Sequence, residues 1–276
     1  MKIIHLTDPH IVSSGRRLYG LQPLERLREC IDSINIRHSD AHLCVITGDL
    51  TDGGGAEEYE ALQAILDGLT IPYRLMLGNH DNRTTFRAVF ADAPTDDCGF
   101  VQSVLDIPEW GRLLFLDTLD TGQPNGRICS SRLAWIRARL AEVEHEPVYV
   151  FMHHPLLPIG VRHFENMCLA DPEPLLGCLR AHPGGIRHIF AGHVHLPVNG
   201  SWFGIPFTAG RGTCHHIVLD IDNPAAAFAA TTPSYGVVLL QAHGVSVHTY
   251  DQLDQRPILG GWPPEMFTST SPTLSK

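Results

Sequence analysis

Short, nearly continuous apolar runs alternate with amphipathic stretches through the first third of the chain. Lys2 to Thr7, Leu43 to Thr47 and Pro72 to Leu77 read as buried strands, the last two closed by Gly48 and Gly78. Between them, Leu24, Leu27, Ile31 and Ile34 recur at helical spacing behind Pro23, a residue suited to a first helical turn. Tyr59, Leu62, Leu66 and Leu69 mark one face of a second helix. This βαβαβ order predicts an α/β fold whose sheet is covered by helices. Beyond residue 85 the pattern loosens. Val101 to Asp106 and Leu113 to Asp117 read as strands flanking a turn at Glu109 to Gly111, and Ser130 or Ser131 can cap a helix carrying Leu133, Ile136, Leu140 and Val143 inward. Val148 to Met152 and Arg187 to Ala191 are two more strands, separated by a Pro- and Gly-punctuated region. From Val198 onward the pattern gives short strands over 198–202, 205–209, 215–220, 236–241 and 245–250. Residues 1–259 are expected to form one domain, with a loose Pro-, Ser- and Thr-rich tail over 260–276.

Composition narrows the function classes. With 276 residues, 43% of them hydrophobic, the chain can bury a sizeable core. No apolar run approaches the ~18 residues a membrane helix needs, and Met1 to His5 lack the basic and apolar regions of a signal peptide, which predicts a cytoplasmic protein. Seven cysteines without a close pair resemble neither a disulfide framework nor a zinc knuckle. The formal charge of −10 argues against long nucleic acid and anionic membrane as partners. The unusual number is 17 histidines against 20 Lys and Arg together, because imidazole is the commonest protein ligand for transition metals.

Polar residues concentrate where the apolar strands end. The first strand runs into Asp8-Pro9-His10, the second into Gly48-Asp49, the third into Gly78-Asn79-His80-Asp81, and later strands into His153-His154-Pro155 and Gly192-His193-Val194-His195. Ligands of open α/β sheets bind beyond the carboxyl ends of strands, so these residues are expected to converge. In extended chain, Asp8 and His10 would share one side, whereas His153 and His154 would point oppositely. Two carboxylates, an amide oxygen and several imidazoles form a mixed N/O set suited to Mn, Fe, Co or Zn rather than to Ca. A lone Asp at a strand end is usually a turn former, but five such pieces in order point to a metal site.

These blocks, D-x-H, G-D, G-N-H-[DE], H and G-H-x-H, resemble the calcineurin-like metallophosphoesterases and are spread from Asp8 to His195. Leu18-Tyr19-Gly20, Phe151-Met152-His153-His154-Pro155 and Gly212-Thr213-x-His215 further resemble the bacterial cyclic-nucleotide and glycerophosphodiester phosphodiesterase branch. The resemblance implies a four-layer α/β/β/α sandwich of two mixed sheets flanked by helices, with the segments after about residue 198 continuing the second sheet. It also implies two divalent metal ions: Asp8, His10 and His195 would hold one, Asn79, His153 and His193 the other, and Asp49 would bridge them. His80 would act on the leaving group or transition state, with Asp81 orienting a ring, and His215 would contact the substrate phosphate. Small phosphodiesters are the implied substrates, cyclic nucleotides ahead of glycerophosphodiesters, and a homo-oligomer is the implied assembly. The rivals are a phosphomonoesterase, a nuclease, and a catalytically inactive scaffold of the same fold.

Several residues stay open on the sequence. His154 is either packed or a partner of a ligand, and Tyr19 either stacks on a base or lines the pocket. Arg16 and Arg17 either clamp a phosphate or sit on a solvated loop. Arg211, also a candidate for substrate, departs from the glycerophosphodiesterase pattern. His5 reads as half-buried, and His188, like the other histidines outside motifs, as a surface or edge residue.

Overall fold

The computed structural model describes residues 1–251; the tail expected over 260–276 and the boundary at 259 lie outside the described residues. Two mixed sheets stack face to face. The first has the order β13-β12-β1-β2-β3, built from β1 (Lys2–Leu6), β2 (Leu43–Ile46), β3 (Tyr73–Leu75), β12 (Tyr235–Gln241) and β13 (Gly244–Tyr250). The second has the order β4-β5-β6-β7-β9-β8, from β4 (Ser103–Ile107), β5 (Gly111–Phe115), β6 (Val148–Phe151), β7 (Ile186–Ala191), β8 (Val198–Trp202) and β9 (Ile205–Ala209). Strands β1, β2 and β3 run parallel, as do β5, β6, β7 and β9, so their carboxyl ends gather at a common edge within each sheet.

Three apolar layers hold this arrangement. Helices α1 (Pro23–Arg37), α2 (Ala56–Leu66) and α3 (Arg83–Val89) close the outer face of the first sheet through Leu27, Ile34, Tyr59, Leu62 and Phe86. Helices α4 (Ser130–Ala141) and α5 (Glu173–Arg180) close the second through Ile136, Leu140, Leu175 and Leu179. Between the sheets lie Ile3, Val45, Met76 and Val238 from one side and Leu113, Phe115, Phe151 and Phe190 from the other. The Phe151 ring stacks on Phe115 at 5.3 Å and on Phe190 at 4.5 Å, so this central layer is aromatic on the second sheet's side. The result is the expected α/β/β/α sandwich.

The structure departs from the sequence reading in three places. The segments after residue 198 do not all continue the second sheet: β8 and β9 do, but the β12–β13 hairpin returns to pair antiparallel with β1. Strand β12 is buried on both faces, Val238 and Leu240 joining the layer between the sheets while Tyr235 and Val237 pack under the first helix layer. A small ribbon, β10 (His216–Ile217) with β11 (Phe228–Ala229), belongs to neither sheet. Two helices, α3 and α5, fall where periodicity was weak. Asn82 starts α3 by accepting the N–H groups of Thr84 and Thr85, and α5 is eight residues long behind Pro172. Helix α4 begins at Ser130, but no serine caps it; Cys129 occupies that position without a side-chain cap bond.

Candidate metal centre

The strand exits converge. Asp8, His10, Asp49 and His195 are all buried and bring one ligand atom each within 4.8 Å of one another, as do His153, His154 and His193. Asp49 joins the groups: its Oδ2 lies 3.5 Å from His10 Nε2 and 3.4 Å from His153 Nε2. His153 Nε2 is also 3.2 Å from Asn79 Oδ1, and Asp8 Oδ1 is 3.5 Å from His195 Nε2.

The backbone needed for this is strained. Asp8, His10, Asp49, His193 and His195 all have positive φ, between 43° and 71°. Non-glycine residues seldom adopt this region, and such outliers cluster at functional sites. The expected extended geometry for Asp8 and His10 is therefore incorrect. Strand β1 stops at Leu6, after which the Asp8 and His10 N–H groups donate to Gly48 and Asp49 carbonyls, at 3.1 and 3.0 Å, and the chain follows the exit of β2. Two glycines make room. A Cβ at Gly78 would strike the Asp49 carboxylate and the His153 ring, and one at Gly192 would strike Thr7.

The donor set fits divalent cations. Both ring nitrogens of His193, and Nε2 of His154, are buried without a hydrogen-bond partner. Nitrogen atoms of His10 and His195 face each other at 3.1 Å. Unpaired buried acceptors around two carboxylates are costly unless a cation takes them up. Burial pushes the pKa values of His193 and His195 below the usual imidazole range, which keeps them neutral and able to donate lone pairs. For His153 burial acts in the same direction, but the Asp49 charge outweighs it and lifts the pKa to about 9. Asp49, also penalised by burial, is in turn held well below the carboxylate range by His153.

Surrounding groups fix these side chains. His153 Nδ1 donates to the Thr47 carbonyl at 2.7 Å, and His195 Nδ1 to the His215 carbonyl at 2.9 Å, directing both Nε2 atoms inward. Asp52, which the sequence reading passed over, lies 3.3 Å from His10 Nδ1. Burial disfavours the charged His10, but the Asp52 bond and nearby carboxylates prevail and raise its pKa. Asp52 also meets the candidate acid: His80 Nδ1 is 3.0 Å from its carbonyl oxygen and 3.6 Å from its carboxylate. The His80 side chain is 41% exposed, placing it at the mouth of the cluster, while its backbone N–H donates to Asp49 Oδ1 at 2.9 Å.

Other expectations need correction. Asp81 orients no ring; it accepts the N–H groups of Leu50, Thr51 and Gly78 and the Tyr59 hydroxyl, stapling the loops after β2 and β3 together. Burial and the Asp49 charge raise its pKa to about 6. His153 and His154 do not diverge, because both lie beyond the end of β6: their rings are 4.8 Å apart, and both pack against His193. His154 Nδ1 meets Thr118 Oγ1 at 2.8 Å. Arg211 turns away from the cluster to bond Ser234 Oγ at 2.9 Å and the Thr232 carbonyl at 3.1 Å. With Arg26, which donates to the Thr213 and Thr231 carbonyls, it pins the loop that presents His215. Arg16 and Arg17 are exposed, and Arg17 bonds the Gly20 carbonyl. His215 does reach the cluster, its ring 4.1 Å from His195 and 5.2 Å from His10, and Tyr19 leans on it at 4.9 Å.

A two-sheet α/β/β/α sandwich with a carboxylate set between two groups of imidazoles at its strand exits defines a metal-dependent hydrolase. The chain belongs to the calcineurin-like phosphoesterase family, whose profile matches residues 1–197. It is 37% identical over 90% of its length to a Rhodopseudomonas palustris protein described as a probable cyclic nucleotide phosphodiesterase, covering 91% of that relative. A Mycobacterium tuberculosis cAMP/cGMP dual specificity phosphodiesterase is 30% identical over 77% of this chain and 67% of its own length. An Arcobacter nitrofigilis probable glycerophosphodiester phosphodiesterase is 28% identical, over 90% of this chain and 92% of its own. Among solved structures, a dimetal phosphatase from Danio rerio shares the fold, with a TM-score of 0.66 at 16% identity over 90% of this chain and 98% of that one.

Proposed function

We propose that this protein is a dinuclear-metal phosphodiesterase of small phosphodiesters, with cyclic nucleotides ahead of glycerophosphodiesters. The observation that carries the reading is Asp49, whose Oδ2 stands between His10 and His153 at nearly equal distances and so suits a carboxylate shared by two cations. Asp8, His10 and His195 hold one ion in this reading; Asn79, His153 and His193 hold the other. When bound, such a pair supplies Lewis-acid activation of the phosphoryl group and of the attacking water. Two divalent charges against Asp8 and Asp49 also leave the pocket positive despite the net charge of −10.

The chain's own residues do the remaining work. The Asp52 carbonyl takes the His80 Nδ1–H and orients the ring, so that the imidazolium form would give its Nε2 proton to the departing alkoxide and be left neutral. Asn79, beside His80 and 3.2 Å from His153, positions a phosphoryl oxygen. His215 approaches the phosphate as a neutral hydrogen-bonding group, since burial and the neighbouring His195 push its pKa down to about 2. The 37% identity to a relative described as a probable cyclic nucleotide phosphodiesterase favours cyclic nucleotides, while relatives near 30% identity include both kinds of diesterase. A panel of 3′,5′- and 2′,3′-cyclic nucleotides, glycerophosphodiesters and p-nitrophenyl phosphate tests this with Mn-, Fe/Zn- and Co-loaded protein. Diesters should be cleaved and the monoester should not compete; a clear preference for the monoester overturns the assignment.

A further inference from the structure

The metal cluster continues outward as aromatic surface. The His215 ring, stacked on the candidate ligand His195, meets Tyr19 at 4.9 Å and Phe228 at 5.1 Å. Tyr19 and Phe228 stack on each other, 4.3 Å between centroids and 14° from parallel. Both stay open to solvent, Tyr19 at 57% and Phe228 at 47% exposure. An aromatic pair contributing only to stability would be expected inside the core, where burial removes its apolar area from water. This pair instead stands one ring beyond His215, the residue placed at the substrate phosphate.

The backbone is built to hold it there. Phe228 comes from the separate β10–β11 ribbon, where it pairs with Ile217 one residue after His216, so the ribbon ties the aromatic ring to the His215 loop. Tyr19 has φ of 50°, a conformation a bulky residue seldom takes without constraint. Gly212 lets the His215 loop approach, since a Cβ there would strike the His195 ring and the His215 carbonyl.

We infer that Tyr19 and Phe228 form a stacking platform for the planar base of a nucleotide whose phosphate lies at the metal centre, and that Phe228 is a specificity-determining residue. This rests on the phosphodiesterase reading of the same site. Stacked on each other, the two rings cover one face of each and leave a flat outer ring face, which complements a purine or pyrimidine; this exposed, apolar surface offers little to the hydroxyls of a glycerol group. A quaternary ammonium headgroup is the other ligand that aromatic rings attract, and it favours rings set around it as a box.

Equilibrium binding separates these cases without requiring turnover. Adenosine 5′-monophosphate, ribose 5-phosphate and phosphocholine are titrated calorimetrically into metal-loaded wild-type protein, Phe228→Leu and Phe228→Trp. The wild type should bind the adenine nucleotide about tenfold more tightly than ribose 5-phosphate. Phe228→Leu, which keeps apolar volume for the ribbon but no flat face, should remove most of that preference, and Phe228→Trp should keep it. Equal affinity for the two probes in the wild type, a preference undiminished in Phe228→Leu, or tighter binding of phosphocholine overturns the platform. The KM for 3′,5′-cyclic AMP should rise about tenfold in Phe228→Leu with kcat little changed. Base-dependent binding without hydrolysis of any diester would instead defeat the phosphodiesterase reading and leave the platform standing.

Discussion

Two histidines that bind nothing in the proposed centre should set the protein's acid stability. His5 on β1 and His188 on β7 face each other across the two sheets, 3% and 8% exposed. His5 meets Thr47 Oγ1 and His188 meets Thr208 Oγ1, each at 2.9 Å, and both rings pack on Phe190. Burial lowers both pKa values from 6.5 to about 4, with the charge of His188 adding to the shift at His5. The unfolded chain takes up protons below pH 6.5 while the folded chain resists until about pH 4, so stability falls across that window as pH decreases. At pH 5 each histidine costs about 2 kcal/mol relative to pH 7.5, and the pair costs about 4 kcal/mol at most. Urea denaturation of chelator-treated wild type and His188→Gln at the two pH values reads this directly. Glutamine keeps a polar group near Thr208 but cannot titrate, so its loss of stability on acidification should be smaller by about 2 kcal/mol. Chelation removes metal release as a competing cause, and the difference between proteins cancels the other titrating groups. An acid-induced loss identical in the variant and the wild type would refute the reasoning.

Three further outcomes test the centre and its support. Asp49→Ala and Asn79→Ala should each lower diester turnover at least about 10³-fold while far-UV circular dichroism stays native; full activity in either, with metal present, sinks the two-metal assignment. Asp52→Asn, which withdraws the carboxylate beside His10 Nδ1, should weaken metal binding about tenfold to a hundredfold in a chelator competition, and unchanged affinity would deny Asp52 its orienting role. Arg83→Ala removes the two-pronged partner of the fully buried Asp117 at 2.7 and 2.8 Å but leaves Arg132 at 3.6 Å, and should cost about 2 kcal/mol in urea denaturation without lowering kcat in the surviving folded protein.

What the sequence made legible was chemistry confined to short contiguous blocks. Asp8, His10, Asp49, Asn79, His153, His193 and His195 each follow an apolar strand, and parallel strands gather their carboxyl ends, so strand periodicity alone brought these residues to one edge. The backbone carrying them was misread, because alternation holds only inside a strand. Asp8 and His10 lie beyond β1 in left-handed conformation, and His153 and His154 lie beyond β6 with both rings against His193. A glycine can signal such a turn before the structure is known, as Gly78 and Gly192 do; a left-handed aspartate or histidine carries no comparable mark.

Long-range partners obeyed no local pattern, and this is where the reading ran short. Asp52 belongs to the loop after β2, yet its meaning comes from His10 and His80, 42 and 28 positions away. His5 and His188 become a buried pair only when the sheets stack, which turned an expected half-buried residue and an expected edge residue into interior ones. Arg211 looked available for phosphate because it precedes His215, but a guanidinium donates to whichever acceptors the fold brings near, and here those are the Thr232 carbonyl and the Ser234 hydroxyl. Phe228 is the extreme case: its two-residue strand is too short for any periodic signal, and its ring meets Tyr19, more than two hundred positions earlier, only in the folded chain. Candidate metal ligands stand out in the sequence because strands deliver them in order, whereas the residues proposed to select a substrate arrive from loops, and only the folded chain shows which loops meet.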